Sequence, residues 1–386
     1  MGLKRRLIWL GCILWILAPS VPVGALAEPT LNALSAVVME ASTGRILYEK
    51  NAYEERPMAS TTKIMTLLVA LEADCGEELA VVSELAARQP EVHMDMRAGE
   101  AYRMRDLYYA MMLESWNDTA VVIAEHISGS VEAFCERMTE RAAEIGALHT
   151  QFKTPNGLDA EGHYTTAADM ARIMAYAMQN QEFRQITAAR SYTIRKEDGN
   201  SRMVTVRSHN PMLDAYPGTT GGKTGFTGQA GLCLVSTAQR DGVELVCVVL
   251  ASGWPPHSSY RVADSKKLLD LGFDNFSFQV LVQAGTLMEE AVEVSGGMTD
   301  YVAARTAEEL SYYISTEDEV RLVCSLPYSL HAPVAKGDPV GAVTAYVNGV
   351  PVRTVELLAD QECLPRDWLY YWKKLWNYYT YITVRP

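Results

Sequence analysis

Residues 56–73, RPMASTTKIMTLLVALEA, place a serine and a lysine at the start of a strongly helical segment. Ser60 stands immediately before the segment and Lys63 follows three residues later, so a helix carries both side chains on one face. Apolar side chains, Ile64 and Leu67 among them, would bury the opposite face. The pattern therefore predicts an amphipathic helix that presents Ser60 and Lys63 together.

The chemistry of this pair depends on the state of the lysine. A serine hydroxyl is a weak nucleophile unless a base takes its proton. The Lys63 amine can take that proton where its surroundings disfavour the charged form, and a helix N-terminus adds partial positive charge where an oxyanion forms. Considered alone, however, the pair fits better with a capping serine beside an exposed lysine.

A second lysine lies in the glycine-rich run YPGTTGGKTGFTGQAG, residues 216–231. Its Gly-Lys-Thr suggests a phosphate-binding loop, but the first glycine of such a loop would fall at Pro217, which has no N–H to offer. The residues that follow alternate around Arg240-Asp241-Gly242, as a β-hairpin does, with no helix start. We therefore expect Lys223 on or beside a strand, facing an anion other than a nucleotide phosphate.

A third element is Ser115-Trp116-Asn117, directly before the helical segment DTAVVIAEHIS. The spacing Ser-x-Asn also occurs at Ser208-His209-Asn210, so the spacing by itself is weak evidence. Ser115 follows one predicted helix and opens another, which leaves room for a loop that enters a cleft. Ser208 lies in a strand-rich segment close before Lys223 and is predicted to be a turn.

The first 27 residues are predicted to be a cleaved export signal. Three basic residues precede an apolar run that is short for a membrane-spanning helix, and Ala25-Leu26-Ala27 offers small residues for cleavage. Removing this segment takes away three basic and no acidic residues, which lowers the net charge from −13 to −16. The charge disfavours nucleic acid as a partner, and export removes any supply of nucleotide cofactors.

The cysteines and histidines show no metal-binding pattern. Six of the seven cysteines follow the predicted cleavage point, none forms a CxxC pair, and no His/Cys group has zinc spacing. We therefore assign no metal and no cofactor. Cys233 and Cys247 lie on opposite arms of the predicted hairpin and could be neighbours, with buried free thiols favoured over a disulfide.

The chain as a whole predicts an α+β fold with three parts after the signal. Residues 28–274 begin with a hairpin that turns at Ser42-Thr43-Gly44 and end with strands and a helix at 258–271. This arrangement suggests a sheet formed from both ends of the segment with a helical subdomain inserted. Between the first hairpin and the later strands, helices are expected at residues 61–73, 104–113, 118–128, 131–146 and 166–179. Residues 275–360 alternate between short strands and turns, which predicts a small all-β domain.

Residues 361–386 contain the aromatic stretch RDWLYYWKKLWNYYTYITVRP. On a helix, Trp368, Trp372 and Trp376 share one face with Leu375 and Tyr379, whereas the lysines point elsewhere. Tryptophan and tyrosine favour the membrane–water boundary, and lysines favour anionic headgroups. We therefore expect this helix to attach to a membrane surface; the alternative is that it packs on the β-domain.

Taken together, Ser60-x-x-Lys63, Ser115-x-Asn117 and Lys223-Thr224-Gly225 resemble the motif set of the penicillin-recognising serine enzymes. More narrowly, the chain resembles a low-molecular-mass D-alanyl-D-alanine carboxypeptidase of the Gram-positive type, with a DD-peptidase/β-lactamase-like domain. The segments that carry the resemblance are SAVVMEASTGRILYEKNA, PMASTTKIMT, SWNDTAVVIAEHISGSVEAF, TPNGLDAEGHYTTAADMARIM and GGKTGFTGQAGLCLVSTAQRDG. It extends to the C-terminal β-domain and tail, so it covers almost all of the mature chain.

The resemblance implies a reaction and a role for each motif residue. Ser60 attacks the carbonyl between the two terminal D-alanines of a peptidoglycan stem peptide, with Lys63 as the base. Ser115 relays a proton towards the leaving D-alanine nitrogen, and Asn117 orients Lys63 and the substrate amide. Water then hydrolyses the acyl-enzyme. The implied location is the extracytoplasmic face of a bacterial membrane or the cell wall.

The resemblance also implies how the substrate is held. Lys223 and Thr224, followed by Gly225, bind the free carboxylate of the terminal D-alanine or that of a β-lactam such as penicillin. The backbone N–H groups of Ser60 and Phe226 form the oxyanion hole.

Two positions depart from the family pattern. Trp116 is bulky where the family usually has a small residue, so we expect a reshaped cleft rim. Asn156 stands where such enzymes often carry histidine.

Two other functions share some of these features. A serine β-lactamase has all three motifs, but class A enzymes add a Glu-x-x-Leu-Asn loop, and no such stretch occurs between Asn117 and Lys223. A non-catalytic penicillin sensor would be expected to have a spanning helix, and the sequence indicates none. A non-catalytic cell-wall scaffold would be expected to have lost a catalytic residue, whereas all the motif residues are present.

Overall fold

A computed structural model describes residues 28–90, 92–195 and 203–383. The described residues form two compact units: Pro29–Val282 with Ser311–Ile314 make the larger one, and Gln283–Leu310 with residues 315–383 make the smaller one. The sequence-based boundaries at residues 274 and 360 stay predictions. The predicted export signal, residues 1–27, lies outside the described residues.

The described chain contains both helices and strands along most of its length. The strands are β1 Ser35–Glu40, β2 Ile46–Lys50, β3 Leu79–Val81, β4 Ala101–Arg103, β5 Ser191–Arg195, β6 Met203–Arg207, β7 Thr219–Thr227, β8 Gly231–Arg240, β9 Val243–Leu250, β10 Phe276–Val282, β11 Leu287–Ser295, β12 Tyr301–Thr306, β13 Leu310–Ser315, β14 Val320–Ser325, β15 Ser329–His331, β16 Pro339–Val347 and β17 Val350–Ala359. The helices are α1 Lys63–Glu72, α2 Glu84–Ala87, α3 Met104–Leu113, α4 Asn117–Ser128, α5 Val131–Glu144, α6 Ala167–Ala177, α7 Gln181–Ala188, α8 Met212–Ala215, α9 Tyr260–Asn275 and α10 Trp368–Thr383. This mixed content confirms the predicted α+β class.

A five-stranded antiparallel sheet organises the larger unit, in the order β2-β1-β9-β8-β7. Strands β1, β8 and β9 are buried at nearly every position because both faces of the sheet are covered. Val37 and Val248 on one face join the helical core, whereas Val38 and Leu245 on the other face approach Gly272 of α9. Strand β7 lies at the edge of this sheet, so half of its backbone groups point away from the sheet.

Helix α1 passes through the middle of the helical core and contacts α3, α4, α5, α6 and α7. Every residue from Lys63 to Ala70 is buried. The sequence predicted an amphipathic helix with one buried face, and this prediction is wrong because helices surround α1 on all sides. Lys63 is consequently a buried lysine.

Most predicted elements of the larger unit exist, with shifted ends. Ser60 lies in a 3-10 turn, Ala59–Thr62, that precedes α1. The predicted strand near residues 192–206 is the hairpin β5–β6, whose residues 196–202 lie outside the described part of the chain. Helix α7 was not predicted, although Asn180 caps it by accepting from the backbone N–H groups of Glu182 and Phe183.

The structure excludes Cys233 and Cys247 as neighbours and confirms the favoured interpretation, buried free thiols. In the β8–β9 register Cys247 pairs with Ser236, which places the two cysteines on opposite faces of the sheet. Both are buried free thiols, as are three of the other described cysteines, whereas Cys324 is exposed.

The smaller unit contains a six-stranded sheet in the order β14-β16-β17-β12-β11-β15. One face is buried through alternate residues such as Val343 and Ala345 of β16 and Val355 and Leu357 of β17. Helix α10 follows this sheet, and its Trp372 and Trp376 side chains are 54% and 57% exposed. Within the described part of the chain, no helix is long and apolar enough to cross a membrane.

Candidate active site

The turn before α1 places Ser60 beside Lys63. The residue before Ser60, Ala59, has a φ of +48°, a left-handed conformation that costs energy for a residue with a Cβ. Ser60 is half-buried, and its Oγ lies 2.9 Å from the Lys63 Nζ. The serine–lysine contact predicted from the sequence is therefore present.

The Lys63 amine has three oxygen neighbours. Besides Ser60 Oγ, its Nζ lies 2.9 Å from Asn117 Oδ1 and 2.6 Å from the backbone oxygen of Asn156. A neutral amine has two N–H donors and one lone pair. The two N–H groups can donate to the Asn117 and Asn156 oxygens, which leaves the lone pair to accept the Ser60 proton.

The electrostatic surroundings favour this neutral amine. Lys63 is fully buried, and burial lowers its pKa well below the usual value. The charge of Lys223 lowers the pKa further, whereas Asp118 opposes the shift. Lys63 therefore has the electronic state that a general base requires.

Ser115 occupies the loop between α3 and α4 with a φ of +65°. Such a strained conformation persists only where the surrounding structure imposes it. Asn117, the first residue of α4, is held by its backbone N–H, which donates to the Val92 oxygen at 2.7 Å. This loop thus directs Asn117 towards Lys63 and Ser115 towards β7.

Lys223 lies in β7, as expected, and is buried. Its Nζ donates to Ser115 Oγ at 2.9 Å and to the Thr224 backbone oxygen at 3.1 Å. Burial, together with the charge of Arg261, lowers the pKa of Lys223 to about 7. The ammonium group and the Ser115 hydroxyl therefore form the second half of the site.

Strand β7 runs directly against the Ser60 turn at Gly225. A Cβ added to Gly225 would lie 3.0 Å from the Ser60 nitrogen and 3.1 Å from the Met58 oxygen, so glycine allows this close approach. The next residue, Phe226, is exposed. An edge strand in this position offers backbone N–H and C=O groups to an extended peptide.

Arg261 is a residue that the sequence did not point to. Arg261 is the second residue of α9 and is half-buried, and its Nη1 donates to the Gly225 oxygen at 3.2 Å. Its buried Nε has no hydrogen-bond partner among the described residues. Burial lowers the pKa of Arg261. No motif marks this arginine, because α9 brings it to β7 only in the folded chain.

The segment around Asn156 was also missed as a contributor to the site. Its backbone oxygen contacts Lys63, whereas its side-chain Nδ2 donates to Gln89 Oε1 at 3.0 Å. A sequence motif identifies side chains, so a contribution by a backbone carbonyl leaves no signal in the sequence. The other departure, Trp116, is half-buried and packs against the helical core; the reshaped cleft rim stays a prediction.

The structure thus brings together two linked groups of predicted residues. Ser60, Lys63 and Asn117 form one, and Ser115 and Lys223 form the other. The competing Ser208 lies just after β6 and accepts from the Asn210 backbone N–H, as a turn residue does. A serine hydroxyl beside a buried amine, next to a second lysine, is an arrangement that can support acyl transfer.

Comparison with known proteins gives the same assignment. Residues 23–253 match the family described as D-alanyl-D-alanine carboxypeptidase, and residues 276–363 match the family described as Penicillin-binding protein 5, C-terminal domain. D-alanyl-D-alanine carboxypeptidase DacF of Bacillus subtilis is 29% identical over 349 residues, covering 88% of this chain and 87% of its own length. DacC of Escherichia coli is 30% identical over 347 residues, covering 86% of this chain and 84% of its own length.

A solved structure agrees with these relatives. Penicillin binding protein 5 from Haemophilus influenzae is 29% identical, with a TM-score of 0.71 over 88% of this chain and 100% of that chain. The predicted fold class and enzyme class, a peptidase of the penicillin-binding type, are confirmed by these similarities. The chain belongs to the D-alanyl-D-alanine carboxypeptidase family.

Proposed function

We propose that this carboxypeptidase removes the terminal D-alanine from peptidoglycan stem peptides through an acyl-enzyme on Ser60. The observation that carries the proposal is the position of Lys63: a fully buried amine with a lowered pKa, 2.9 Å from Ser60 Oγ and hydrogen-bonded to two carbonyl oxygens. A base in this state can accept the serine proton.

The acylation step follows from these contacts. Ser60 Oγ forms a bond to the carbonyl carbon between the two D-alanines while its proton moves to Lys63. The carbonyl oxygen becomes an oxyanion, which the N–H groups of Ser60 and Phe226 stabilise. The C–N bond then breaks, and Ser115 donates its proton to the leaving nitrogen while it takes up the proton that Lys63 received, which returns Lys63 to the neutral state. Asn117 keeps Lys63 aligned and binds the substrate amide.

The terminal carboxylate is the anion that Lys223 faces. Thr224 offers a hydroxyl and Lys223 a charge, and Arg261 of α9 adds a second cation beside β7 through its contact with the Gly225 oxygen. Carboxylate binding raises the pKa of Lys223, because an opposite charge favours its protonated form. This requirement for a free carboxylate makes the enzyme a carboxypeptidase.

Penicillins enter the same site in this proposal. A β-lactam presents a strained amide to Ser60 and a carboxylate to Lys223, so it forms an acyl-enzyme as the peptide does. Its leaving group stays attached, which slows the approach of the water that would release the enzyme.

The C-terminal helix attaches the enzyme to a membrane surface, with export preceding attachment. Large side chains of α10, including Trp368, Leu375 and Tyr379, are exposed, and an apolar surface of this size suits a membrane interface. Binding of the full-length protein to anionic vesicles, compared with a chain that ends at residue 366, tests this assignment. Equal binding of both chains contradicts it.

The test of the enzymatic proposal is D-alanine release from diacyl-Lys-D-Ala-D-Ala, with wild type beside Ser60→Ala. Release by wild type and none by the variant is expected. Rapid hydrolysis of penicillin with no D-alanine release would instead support a β-lactamase. No reaction with either compound, from folded protein, would support a sensor or scaffold.

A further inference from the structure

A buried histidine lies behind the Ser60 turn and takes no part in the reaction described above. His163 is 5% exposed and its Nδ1 accepts a hydrogen bond from the backbone N–H of Lys153 at 3.0 Å. A backbone N–H can only donate, so Nδ1 carries no proton and the neutral ring carries its proton on Nε2. Burial lowers the pKa of His163 to about 4, which keeps the ring neutral in the usual pH range.

Among the residues that the structure describes, the Nε2 proton has one acceptor within reach, the Thr62 hydroxyl. The His163 Nε2 to Thr62 Oγ1 distance is 2.9 Å, and the fixed tautomer makes His163 the donor. The Thr62 hydroxyl in turn donates to the backbone oxygen of Ala59 at 2.8 Å. Every hydrogen bond in this series, from Lys153 through His163 and Thr62 to Ala59, therefore has a defined donor and acceptor.

The Ala59 oxygen belongs to the same peptide group as the Ser60 N–H. A peptide group is planar, so a hydrogen bond that fixes the carbonyl also fixes the direction of the N–H on its other side. This group needs external support, because Ala59 has a φ of +48°. Gly157 closes the same region: a Cβ there would lie 2.0 Å from the Ala59 oxygen.

We propose that His163 and Thr62 are positioning residues that hold the Ala59–Ser60 peptide group and so aim the Ser60 N–H at the substrate oxyanion. This inference rests on the proposed function, because it requires Ser60 as nucleophile and oxyanion donor. An N–H that is aligned before the reaction stabilises the developing charge without reorganisation. The residues act on the transition state and not on the substrate carboxylate, which Lys223 binds on the other side of the site.

The proposal predicts a specific kinetic defect. Removing one oxyanion-hole donor costs about 10²–10³-fold in rate, so misaligning it should cost about 10- to 100-fold. Thr62→Val removes the hydroxyl with little change in shape, whereas Thr62→Ser keeps it. We expect Thr62→Val to lower the acylation rate constant for a penicillin by about 10- to 100-fold and leave its non-covalent dissociation constant unchanged. Thr62→Ser should restore most of the rate.

A second pair of variants tests the histidine itself. Gln at position 163 can place an amide N–H near the Nε2 position, whereas Asn is too short to reach Thr62. His163→Gln should therefore acylate faster than His163→Asn. If both variants acylate at the wild-type rate, His163 has no positioning role.

The matched control is Thr139→Val. Thr139 Oγ1 accepts from the backbone N–H of Phe152, the residue before Lys153, and donates to the Cys135 oxygen. The substitution therefore removes an equivalent pair of hydrogen bonds on the same segment without touching Ala59. It should lower thermal stability as much as Thr62→Val while leaving acylation unchanged.

The decisive experiment measures penicillin acylation of the full-length protein by stopped flow, together with thermal unfolding, for all these variants. A slow acylation step with normal affinity in Thr62→Val, restored by Thr62→Ser and absent in Thr139→Val, is the expected result. Equal acylation of wild type and Thr62→Val overturns the inference alone. Absence of any acylation in folded wild type would instead overturn the proposed function.

Discussion

The two halves of the site each contain a buried lysine with a lowered pKa, yet they have different neighbours. On the helical side, Lys63 contacts three oxygens, of which two are carbonyl acceptors and one is the Ser60 hydroxyl. On the strand side, Lys223 contacts the Ser115 hydroxyl and one backbone oxygen, with the cation Arg261 close enough to lower its pKa.

The difference between these neighbours supports the opposite roles proposed for the two lysines. The partners of Lys63 match the two donors and one lone pair of a neutral amine, which suits a base. The neighbourhood of Lys223 gathers positive charge, which costs energy until an anion arrives and thereby favours carboxylate binding. Burial alone does not decide the role, because both side chains are buried.

The comparison predicts the largest effect for loss of the base. Lys63→Met should lower the acylation rate about 10²–10⁴-fold, because Ser60 then has no group to take its proton. Penicillin acylation followed by stopped flow checks this. Lys336→Met, a change at an exposed lysine of the smaller unit, is the control and should leave the rate unchanged. Equal rates for Lys63→Met and wild type would remove Lys63 as the base.

Replacing the strand-side lysine, Lys223, should have a smaller effect on activity, and the size of this effect should depend on the substrate. Lys223→Met should reduce kcat/KM for a peptide with a free carboxylate by about 10- to 100-fold, since hydrogen bonds between charged groups contribute about 1.5–3 kcal/mol. For the same peptide with an amidated C-terminus, kcat/KM should differ little between wild type and Lys223→Met. If both peptides lose activity equally, Lys223 acts in the chemistry and not in carboxylate recognition.

The two lysines should also produce opposite limbs in a pH profile of kcat/KM. As pH falls through the lowered pKa of Lys63, the amine is protonated and can no longer accept the Ser60 proton, so the rate falls. As pH rises above about 7, Lys223 in the free enzyme loses its charge and attracts the carboxylate less. Lys223→Arg should move the alkaline limb to higher pH and leave the acid limb in place. An alkaline limb that stays in place in Lys223→Arg would assign it to another group.

The smallest effect is expected at Asn156. Its backbone oxygen contacts Lys63, whereas its side chain contacts Gln89 and the Leu158 backbone N–H. Asn156→Ala should therefore destabilise the protein by about 1 kcal/mol, measured by denaturant unfolding, and change acylation less than about threefold. A loss of rate comparable to that of Lys63→Met would mean that the side chain takes part in catalysis.

Sequence patterns predicted the elements whose cause is local. The β1–β2 hairpin follows from its turn residues, and α3 follows from apolar periodicity, with bounds that match those predicted. The complete burial of α1 could not be predicted, because it depends on which helices surround it. The positions of Cys233 and Cys247 relative to each other could not be predicted either, since strand register is set by packing over the whole sheet.

The candidate site divides in the same way. Ser60, Lys63, Ser115, Asn117 and Lys223 belong to recognisable motifs. The structure brings Ser60 and Asn117 to Lys63, as the motifs suggested, whereas the contact between Ser115 and Lys223 was not predicted. Tertiary structure brings Arg261 and the Asn156 carbonyl to the site, and their local sequence contains no motif that predicts these contacts. Catalytic side chains that lie in motifs can therefore be predicted from the sequence. Contributions by backbone groups, and by side chains outside any motif, become visible only in the folded structure.

The most direct test of the account is to map the penicillin adduct. Wild-type protein is incubated with a penicillin, and the intact mass and the modified peptide are determined by mass spectrometry, with Ser60→Ala beside it. The account predicts one adduct per chain, on Ser60, and none in the variant. An adduct on Ser115 or another residue, or an equally modified Ser60→Ala protein, would contradict it.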